Sequence, residues 1–530
     1  MQKLQCGLCS HIYDEAVESV SWKNLADNWL CPVCGSPKSS FIPSKAIKSE
    51  PVERSSTAEE QFSNLYECGL CSFQWDELVE KMKWGDLPDT WTCPVCGSGK
   101  DSFIKKTRST PEEITVPQAE NLDGYLEEWH RSADEFESHM TDIHQISVSR
   151  QTIIDPMRTR NETVSWNDIL FKGAQLFKLP LNKSRPVNTG TVIGPAAAVP
   201  LKLKTPILVS HMSFGALSRE VKLAMAKGSA AAGAAMCSGE GGILPECLDA
   251  AYKYIFEYVP NKYSLTDEYL QRVDAVEIKI GQSAKPGMGG HLPGNKVTRE
   301  IAEIRGFREG QDIISPSCFP DIHSKEDLRR TVADLRKRTS GKPIGVKLAA
   351  CHIEEDMKIA LYAKPDFITV DGRAGGTAAA PKLIKGAASI PTVFALARAR
   401  KFLDEQKADD VSLIITGGLR VSSDIAKALG MGADAVALAT SVMMAAGCQQ
   451  YRICNTGRCP VGIATQDPAL RARFNIETSA ARVSNFFTVS TDELKDFARM
   501  SGNPDIHDLC PEDLTTGNSE ISNYTNINHV

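Results

Sequence analysis

Long apolar runs are missing from this chain. No stretch of its 530 residues reaches the roughly 18 consecutive apolar positions of a membrane-spanning helix. The longest candidate, Ala433 to Gly447, is broken by Asp434 and is too short to cross a bilayer. A basic excess is missing as well. The 60 Lys and Arg against 66 Asp and Glu leave a net charge of −6, which argues against a nucleic-acid-coating protein. The opening MQKLQCGLCS has no basic stretch followed by an apolar one, so it reads as no secretory leader, and a cytoplasmic setting is expected. No Gly-x-Gly-x-x-Gly follows a strand-like run, which argues against a dinucleotide-binding domain. The 16 cysteines are too few for a disulfide scaffold of this length, but enough for several metal or cluster sites.

Eight of those cysteines lie in the first 100 residues, in two copies of C-x2-C-x21-C-x2-C offset by 62. The copies are Cys6, Cys9, Cys31, Cys34 and Cys68, Cys71, Cys93, Cys96. The same offset carries Trp22 to Trp84, Leu25 to Leu87, Trp29 to Trp91 and Phe41 to Phe103. Two C-x2-C knuckles place four thiolates around one metal, in a module too small to fold on its apolar core alone. The paired tryptophans, Cys-Pro-Val-Cys-Gly and the late phenylalanine resemble rubredoxin, which implies one mononuclear iron per module. Zinc, as in a ribbon, is the alternative.

Two rubredoxin-like modules are therefore expected at 1–45 and 63–105. A linker and N-terminal arm would fill 106–185, where WNDILFKGAQLFKLP reads as a short helix or packed arm. From 186 onward glycine and alanine rise, and apolar β-branched runs alternate with helix-length segments. Eight strands are read at 206–210, 234–239, 275–280, 312–316, 343–348, 367–372, 412–418 and 435–441. Continuous apolar runs of this kind mark buried parallel strands. The fold expected over 186–500 is an α/β TIM (β/α)8 barrel, with an open doubly wound sheet as the alternative. Residues 501–530 read as a tail, disordered or loosely docked after about 515.

In such a barrel the chemistry sits at the C-terminal strand ends. Gly417, Gly418, Ala439 and Thr440 stand where backbone N–H groups can hold a phosphate, although glycines there also serve as tight βα turns. Gly375, Gly376 and Thr377, with Lys347 on a strand facing the mouth, extend that reading to a flavin, FMN. Cys448, Cys454 and Cys459 are spaced C-x5-C-x4-C with a proline after the last. Three thiolates without an evident fourth fit a three-iron cluster better than zinc. Cys237, Cys247, Cys318, Cys351 and Cys510 share no ligand spacing and read as buried small hydrophobes.

Residues 186–500 resemble the FMN-binding synthase domain of glutamate synthase, in its archaeal-type short form. The resemblance rests on Met212-Ser-Phe-Gly, Gly239-Glu-Gly-Gly, Ala284-Lys-Pro-Gly-x-Gly-Gly-x-Leu-Pro-Gly, Asp371-Gly, Thr416-Gly-Gly-Leu-Arg and the cysteine run ending Cys-Pro-Val-Gly-Ile-Ala-Thr-Gln-Asp-Pro. It implies that Cys448, Cys454 and Cys459 bind a 3Fe-4S cluster. It implies that Lys285 and Gln282 bind 2-oxoglutarate, with Ser213 and His291 beside them, and that Glu240 stands at the ammonia entry. FMN would lie against Met212, Ser213, Lys347, Asp371, Gly375, Gly376, Thr377, Gly417, Gly418, Ala439 and Thr440. Reduced FMN would then convert 2-oxoglutarate and ammonia to L-glutamate, an oxidoreductase reaction. Electrons would arrive through the rubredoxin-like irons and the cluster.

Met288 and His291 depart from the family's usual acidic residue and glutamine. The amine could be ammonia, free or from a separate glutaminase subunit, or methylamine, giving N-methylglutamate. An FMN and iron electron-transfer protein without synthase activity is a further reading. A separate electron-donor protein and a homo- or hetero-oligomer are expected partners; no nucleic acid or membrane is.

Overall fold

The computed structural model describes residues 133–161 and 163–530, and before them 3–6, 12–14, 21–26, 29, 38, 41–43, 64–69, 73–80, 82–94, 98–106, 129 and 131. The chain divides into two compact units, Pro43–Ser149 and Met1–Ile42 together with Arg150–Val530. Among the described residues no helix is long and apolar enough to cross a membrane.

Eight parallel strands close into a barrel: β1 (Ile207–Val209), β2 (Ala235–Cys237), β3 (Lys253–Tyr258), β4 (Ala275–Lys279), β5 (Ile344–Ala349), β6 (Phe367–Asp371), β7 (Ser412–Thr416) and β8 (Ala435–Leu438). Closure is the pairing of β8 with β1, Val436 opposite Ile207. Strand alternation sorts the side chains. Val276, Ile278, Ile344, Val346, Ile368, Val370, Leu413 and Ile415 join the core beneath the outer helices. Leu208, Ala235, Ile255, Ala275, Phe367, Ile414 and Ala437 form a second cluster inside the barrel. Ile193, Leu201 and Leu203 of an antiparallel hairpin, Thr191–Ile193 with Leu201–Leu203, belong to that inner cluster and plug its lower end. Gly345 is what lets Phe367 lie across the interior, because a Cβ there would come within 2.1 Å of the ring.

Seven of the eight expected strands are in the barrel. The run at 312–316 is not. Its Ile313–Ile314 pairs antiparallel with His291–Leu292 in the long loop after β4. Ile313 is buried and Ile314 exposed, so this ribbon has one apolar face only. The barrel strand in its place is β3, KYIFEY, whose charges hid it. Glu257 points into the barrel and breaks the apolar run.

The segment before the barrel takes the packed-arm alternative, with a single helical turn. Ser165 and Asp168 form a capping box on the single turn Trp166–Asp168, and Ile169–Phe171 follows as a strand. That strand pairs with Leu514–Thr516, so the C-terminal residues are not loosely docked. Ile521 and Ile527 are buried in the core that Trp166 and Ile169 also enter.

Each rubredoxin-like module is built around aromatic rings at the predicted offset. Tyr13, Trp22 and Trp29 meet edge to face at 5.0–5.5 Å. In the second copy Trp75, Trp84 and Trp91 do so at 5.2–6.3 Å. Lys38 donates to the Leu25 carbonyl and Lys100 to the Leu87 carbonyl, both at 2.8 Å, so the repeat extends to a bond. In the second copy the strands Gln74–Asp76, Leu65–Cys68 and Phe103–Lys106 form one sheet in that order. Cys68 and Cys93 are buried. Cys9, Cys31, Cys34, Cys71, Cys96 and the side chain of Cys6 lie outside the described residues.

Truncating Ile521 to alanine should cost about 2–5 kcal/mol, as for other fully buried aliphatics. Thermal unfolding of the variant measures this. An unchanged midpoint would show that the C-terminal residues are no part of the cooperative fold.

Candidate active site

The upper inward positions of the barrel are polar. Glu257 on β3, Glu277 on β4, Lys347 on β5 and Thr369 on β6 are buried, and Lys279 on β4 is largely so, as alternate residues above the apolar plug. Burying such charges is tolerated only when they are paired, and here they are. Lys347 Nζ lies 3.4 Å from Glu257 Oε1. Lys279 Nζ donates to Glu240 at 2.5 Å. Glu277 bonds Thr369 and His211.

Three cavities open over this layer. The main one, of about 180 Å³, holds Glu240, Lys279, Lys285, Gln282, Arg305 and His211 on its wall. A second, of about 300 Å³, reaches Glu240 and Lys279 from the other side, past Met288, Phe319 and Leu348. The third, of about 50 Å³, is ringed by Gly375, Gly376, Gly417, Gly418, Ala439 and Thr440, with Lys347 and Asp371 at its base. Gln282 borders all three.

Two loops form the rim and are tied together by Lys222. Its ammonium, fully buried, donates to the carbonyls of Met212 and Ser238 at 2.7 Å each. Gly239 has φ +72°, and a Cβ there would strike the Met212 backbone at 2.4 Å. The glycine in Gly-Glu-Gly-Gly thus brings Glu240 to the mouth. Gly290 admits the carboxylate from the opposite side, since a Cβ there would sit 2.3 Å from Glu240 Oε1. Burial opposes ionisation of Glu240, but Lys279 and Ser315 outweigh it, and its pKa lies below the ordinary carboxylate range. Burial, and then Lys279, lower the proton affinity of Lys285, whose Nζ donates to the Gly289 carbonyl at 2.7 Å.

Most of the residues expected at the site are thus brought together. Three stand differently from a simple contact role. Asp371 accepts from the Ser283 N–H and hydroxyl at 2.9 and 3.0 Å, anchoring the loop that carries Gln282 and Lys285. His291 borders the main cavity but is half exposed and bonds Asp312 at 2.8 Å. Thr377 uses its carbonyl to hold Met157, at 2.7 Å.

Sequence reasoning missed Lys279, Arg305, His211, Arg158 and Arg420. Arg305 is buried, donates to the Phe214 carbonyl at 2.6 Å and keeps Nε without a hydrogen-bond partner among the described residues. Arg420 borders the glycine-ringed cavity. Burial and the like charge of Arg158 pull its pKa down to about 10, against Asp424. Two guanidiniums near enough to repel each other favour an anion beside them. The Ser441 hydroxyl, next to Thr440, is buried without a hydrogen-bond partner among the described residues. Together with the backbone-lined ring, these observations fit the phosphate of FMN.

Cys448, Cys454 and Cys459 border one small cavity, with Met157. Burial first, then mutual repulsion with Cys448 and Cys459, pushes the Cys454 thiol up to about 12, and Lys296 works against this. Three sulfurs crowded round one cavity, with the Cys448 and Cys454 thiols pushed up by burial, are a donor set for iron. Cys454 and Met157 also border the main cavity, so the cysteine loop abuts the mouth. The five remaining cysteines divide. Cys237 and Cys247 are buried as expected, Cys318 is exposed, and Cys351 and Cys510 are half-buried.

Residues 135–504 match the conserved region in glutamate synthase, most of the chain. The chain belongs to the glutamate synthase family. Residues 3–41 and 65–103 each match rubredoxin. Archaeal glutamate synthase [NADPH] of Methanocaldococcus jannaschii is 41% identical over 312 residues, 58% of this chain and 61% of that one. The match thus spans less than two thirds of that relative's length. Archaeal-type glutamate synthase [NADPH] of Thermotoga sp. (strain RQ2) is 36% identical over 371 residues, 69% of this chain and 71% of that one. A glutamate synthase large subunit-like protein of Rhizobium meliloti is 35% identical over 376 residues, 67% of this chain and 85% of that one.

Replacing Lys222 with methionine keeps the volume but removes the donor to two buried carbonyls. Each orphaned group costs about 1–3 kcal/mol. The thermal midpoint should fall accordingly, and an unchanged midpoint would mean that Lys222 does not hold the rim together.

Proposed function

We propose that this glutamate synthase family member reductively aminates 2-oxoglutarate to L-glutamate on bound FMN. The observation that carries this reading is the sharing of Cys454 and Met157 between the cysteine loop and a cavity lined by Lys279, Lys285, Arg305 and Glu240. A redox centre held by that loop would abut a cavity charged for a dicarboxylate. FMN, when bound, supplies the hydride that reduces the imine carbon.

The chain's own residues do the rest. Lys285 and Arg305 offer cations to the substrate's carboxylates. Glu240, kept ionised by Lys279 and Ser315, attracts and orients an ammonium ion but is a weak base for the same reason. Lys285 is the better proton carrier, because burial and Lys279 ease loss of its proton. The loop anchored by Asp371 to Ser283 keeps Gln282 and Lys285 facing each other's cavity. Cys448, Cys454 and Cys459 would hold a 3Fe-4S cluster, and the two modules one iron each, or zinc in a purely structural role. Electrons would pass from a donor protein through the modules and the cluster. A cytoplasmic location, a separate glutaminase subunit and self- or hetero-association belong to the same reading.

One observation favours a second amine. The second cavity reaches Glu240 and Lys279 past Met288, Phe319 and Leu348, an apolar approach with room for a methyl group. Methylamine would give N-methylglutamate by the same chemistry.

Anaerobically reduced protein should reoxidise its flavin when 2-oxoglutarate is added with ammonia or methylamine, and not with either component alone. No reoxidation with any amine favours a carrier of electrons without synthase activity. Iron should total about five atoms per chain, one for each module and three for the cluster. Cys448→Ser should leave about two, and two zinc atoms in place of those two would remove the modules from the electron path.

A further inference from the structure

His211 has no part in the chemistry above, yet it borders both the main cavity and the glycine-ringed one. It stands just after β1, and its side chain is nearly buried. The hydrogen bonds around it run in one direction. The Ala437 carbonyl can only accept, and the Thr416 hydroxyl donates to it at 2.8 Å. With its proton used, Thr416 Oγ1 accepts from the Ser210 hydroxyl at 3.4 Å. With that proton used too, Ser210 Oγ accepts from His211 Nδ1 at 3.2 Å. On its other side His211 Nε2 meets the Glu277 carboxylate. Both ring nitrogens therefore carry a proton.

Charge balance gives the same answer independently. Among the described residues, Glu240 pairs with Lys279 and Glu257 with Lys347, whereas the buried carboxylate of Glu277 has His211 as its ion-pair partner and no lysine or arginine. An unmatched buried carboxylate is costly, and a protonated His211 supplies the third cation. The groups facing His211 are Cys237 on β2, Glu257 on β3, Glu277 on β4 and Lys347 on β5. Burial opposes its charge. Cys237 and the two glutamates overcome this against Lys347, and the pKa rises to about 10.

We propose that His211, held as an imidazolium by Glu277 and Ser210, is the fixed cation of the flavin cavity and favours electron-rich forms of the bound ring. Glu277 is the positioning residue. It is tied to Thr369 inside the barrel, whereas His211 borders the cavities, so the positive end of the pair faces the cofactor. The inference rests on the proposed FMN site and goes beyond it. A ring nitrogen of His211, the Cys237 Sγ and a carboxylate oxygen of Glu277 lie within 4.8 Å of one another, a spacing that also suits a metal ion. Nε2 and the Glu277 carboxylate are in direct contact, which leaves no room for an ion between them, so a proton bridges the pair.

Sulfite, which adds to oxidised flavin and is held by positive charge near the ring, is the probe. It is titrated into FMN-loaded protein and followed by loss of the visible flavin band. His211→Gln should bind sulfite about tenfold more weakly than wild type at every pH, as expected for loss of one charge at close range. Glu277→Gln should leave the histidine to titrate near its ordinary range, so its deficit relative to wild type should grow between about pH 6 and 8. Unchanged sulfite affinity in His211→Gln overturns the inference. If that variant fails to keep FMN, a Glu277→Gln deficit independent of pH overturns it. A tightly held metal ion lost on Cys237→Ser also overturns it. Wild-type protein that takes up no FMN overturns the proposed flavin site and this inference together.

Discussion

The rest of the structure depends on one constraint: charge placed inside a closed barrel must be matched where it lies. The lower interior obeys the simplest version of that rule by being apolar, with Phe367 across the gap at Gly345 and the hairpin residues Ile193, Leu201 and Leu203 beneath it. Two residues further along each strand the same alternation turns up Glu257, Glu277, Lys347 and Thr369. Their pairing sets which carboxylates stay ionised and which amines shed a proton. It also holds the loops that bear Glu240 and Lys285 over the barrel. A site assembled from buried ion pairs is poor in net stability and rich in orientation.

Glycine does the complementary work at the mouth. Gly239 and Gly290 let two loops close on the carboxylate of Glu240, and Gly417, at φ +113°, packs against the Gly372 carbonyl. Neither contact leaves room for a side chain. The Gly-Glu-Gly-Gly and Thr-Gly-Gly patterns are therefore legible in sequence because backbone approach has a single cheap solution. The cysteine patterns are legible for a similar reason, since four thiolates or three must be spaced to meet. The 62-residue offset reaches further than the ligands, to the lysine that donates to the Leu25 or Leu87 carbonyl.

What was hidden in the sequence was hidden by burial of charge. Lys253–Tyr258 does not look like a barrel strand because Glu257 is turned inward, where it meets Lys347. Residues 312–316 look like one because Ile313 and Ile314 are adjacent, although only Ile313 is buried. Arg158 and Arg420 are 262 positions apart and meet only once the arm before β1 has packed on the barrel. The C-terminal segment seemed polar and loose, yet Leu514–Thr516 completes a two-stranded sheet with that arm. Local patterns report residues whose partners are near in sequence. They are silent on those whose partners arrive by folding.

Under the proposed function, the position of the cysteine loop would let one barrel serve both electrons and substrate. Burial pushes the Cys448 and Cys454 thiols up, so both resist ionisation; iron would replace their protons and remove the mutual repulsion that pushes Cys454 up. Lys296 donates to the Cys454 carbonyl at 2.9 Å and also borders the main cavity. Any change in charge on the sulfurs is thus felt by a cation that the substrate cavity shares. Coupling of this kind needs no moving part. It follows from putting the cysteine loop and the main cavity against one buried residue, Lys296, in surroundings too dry to screen the charges between them.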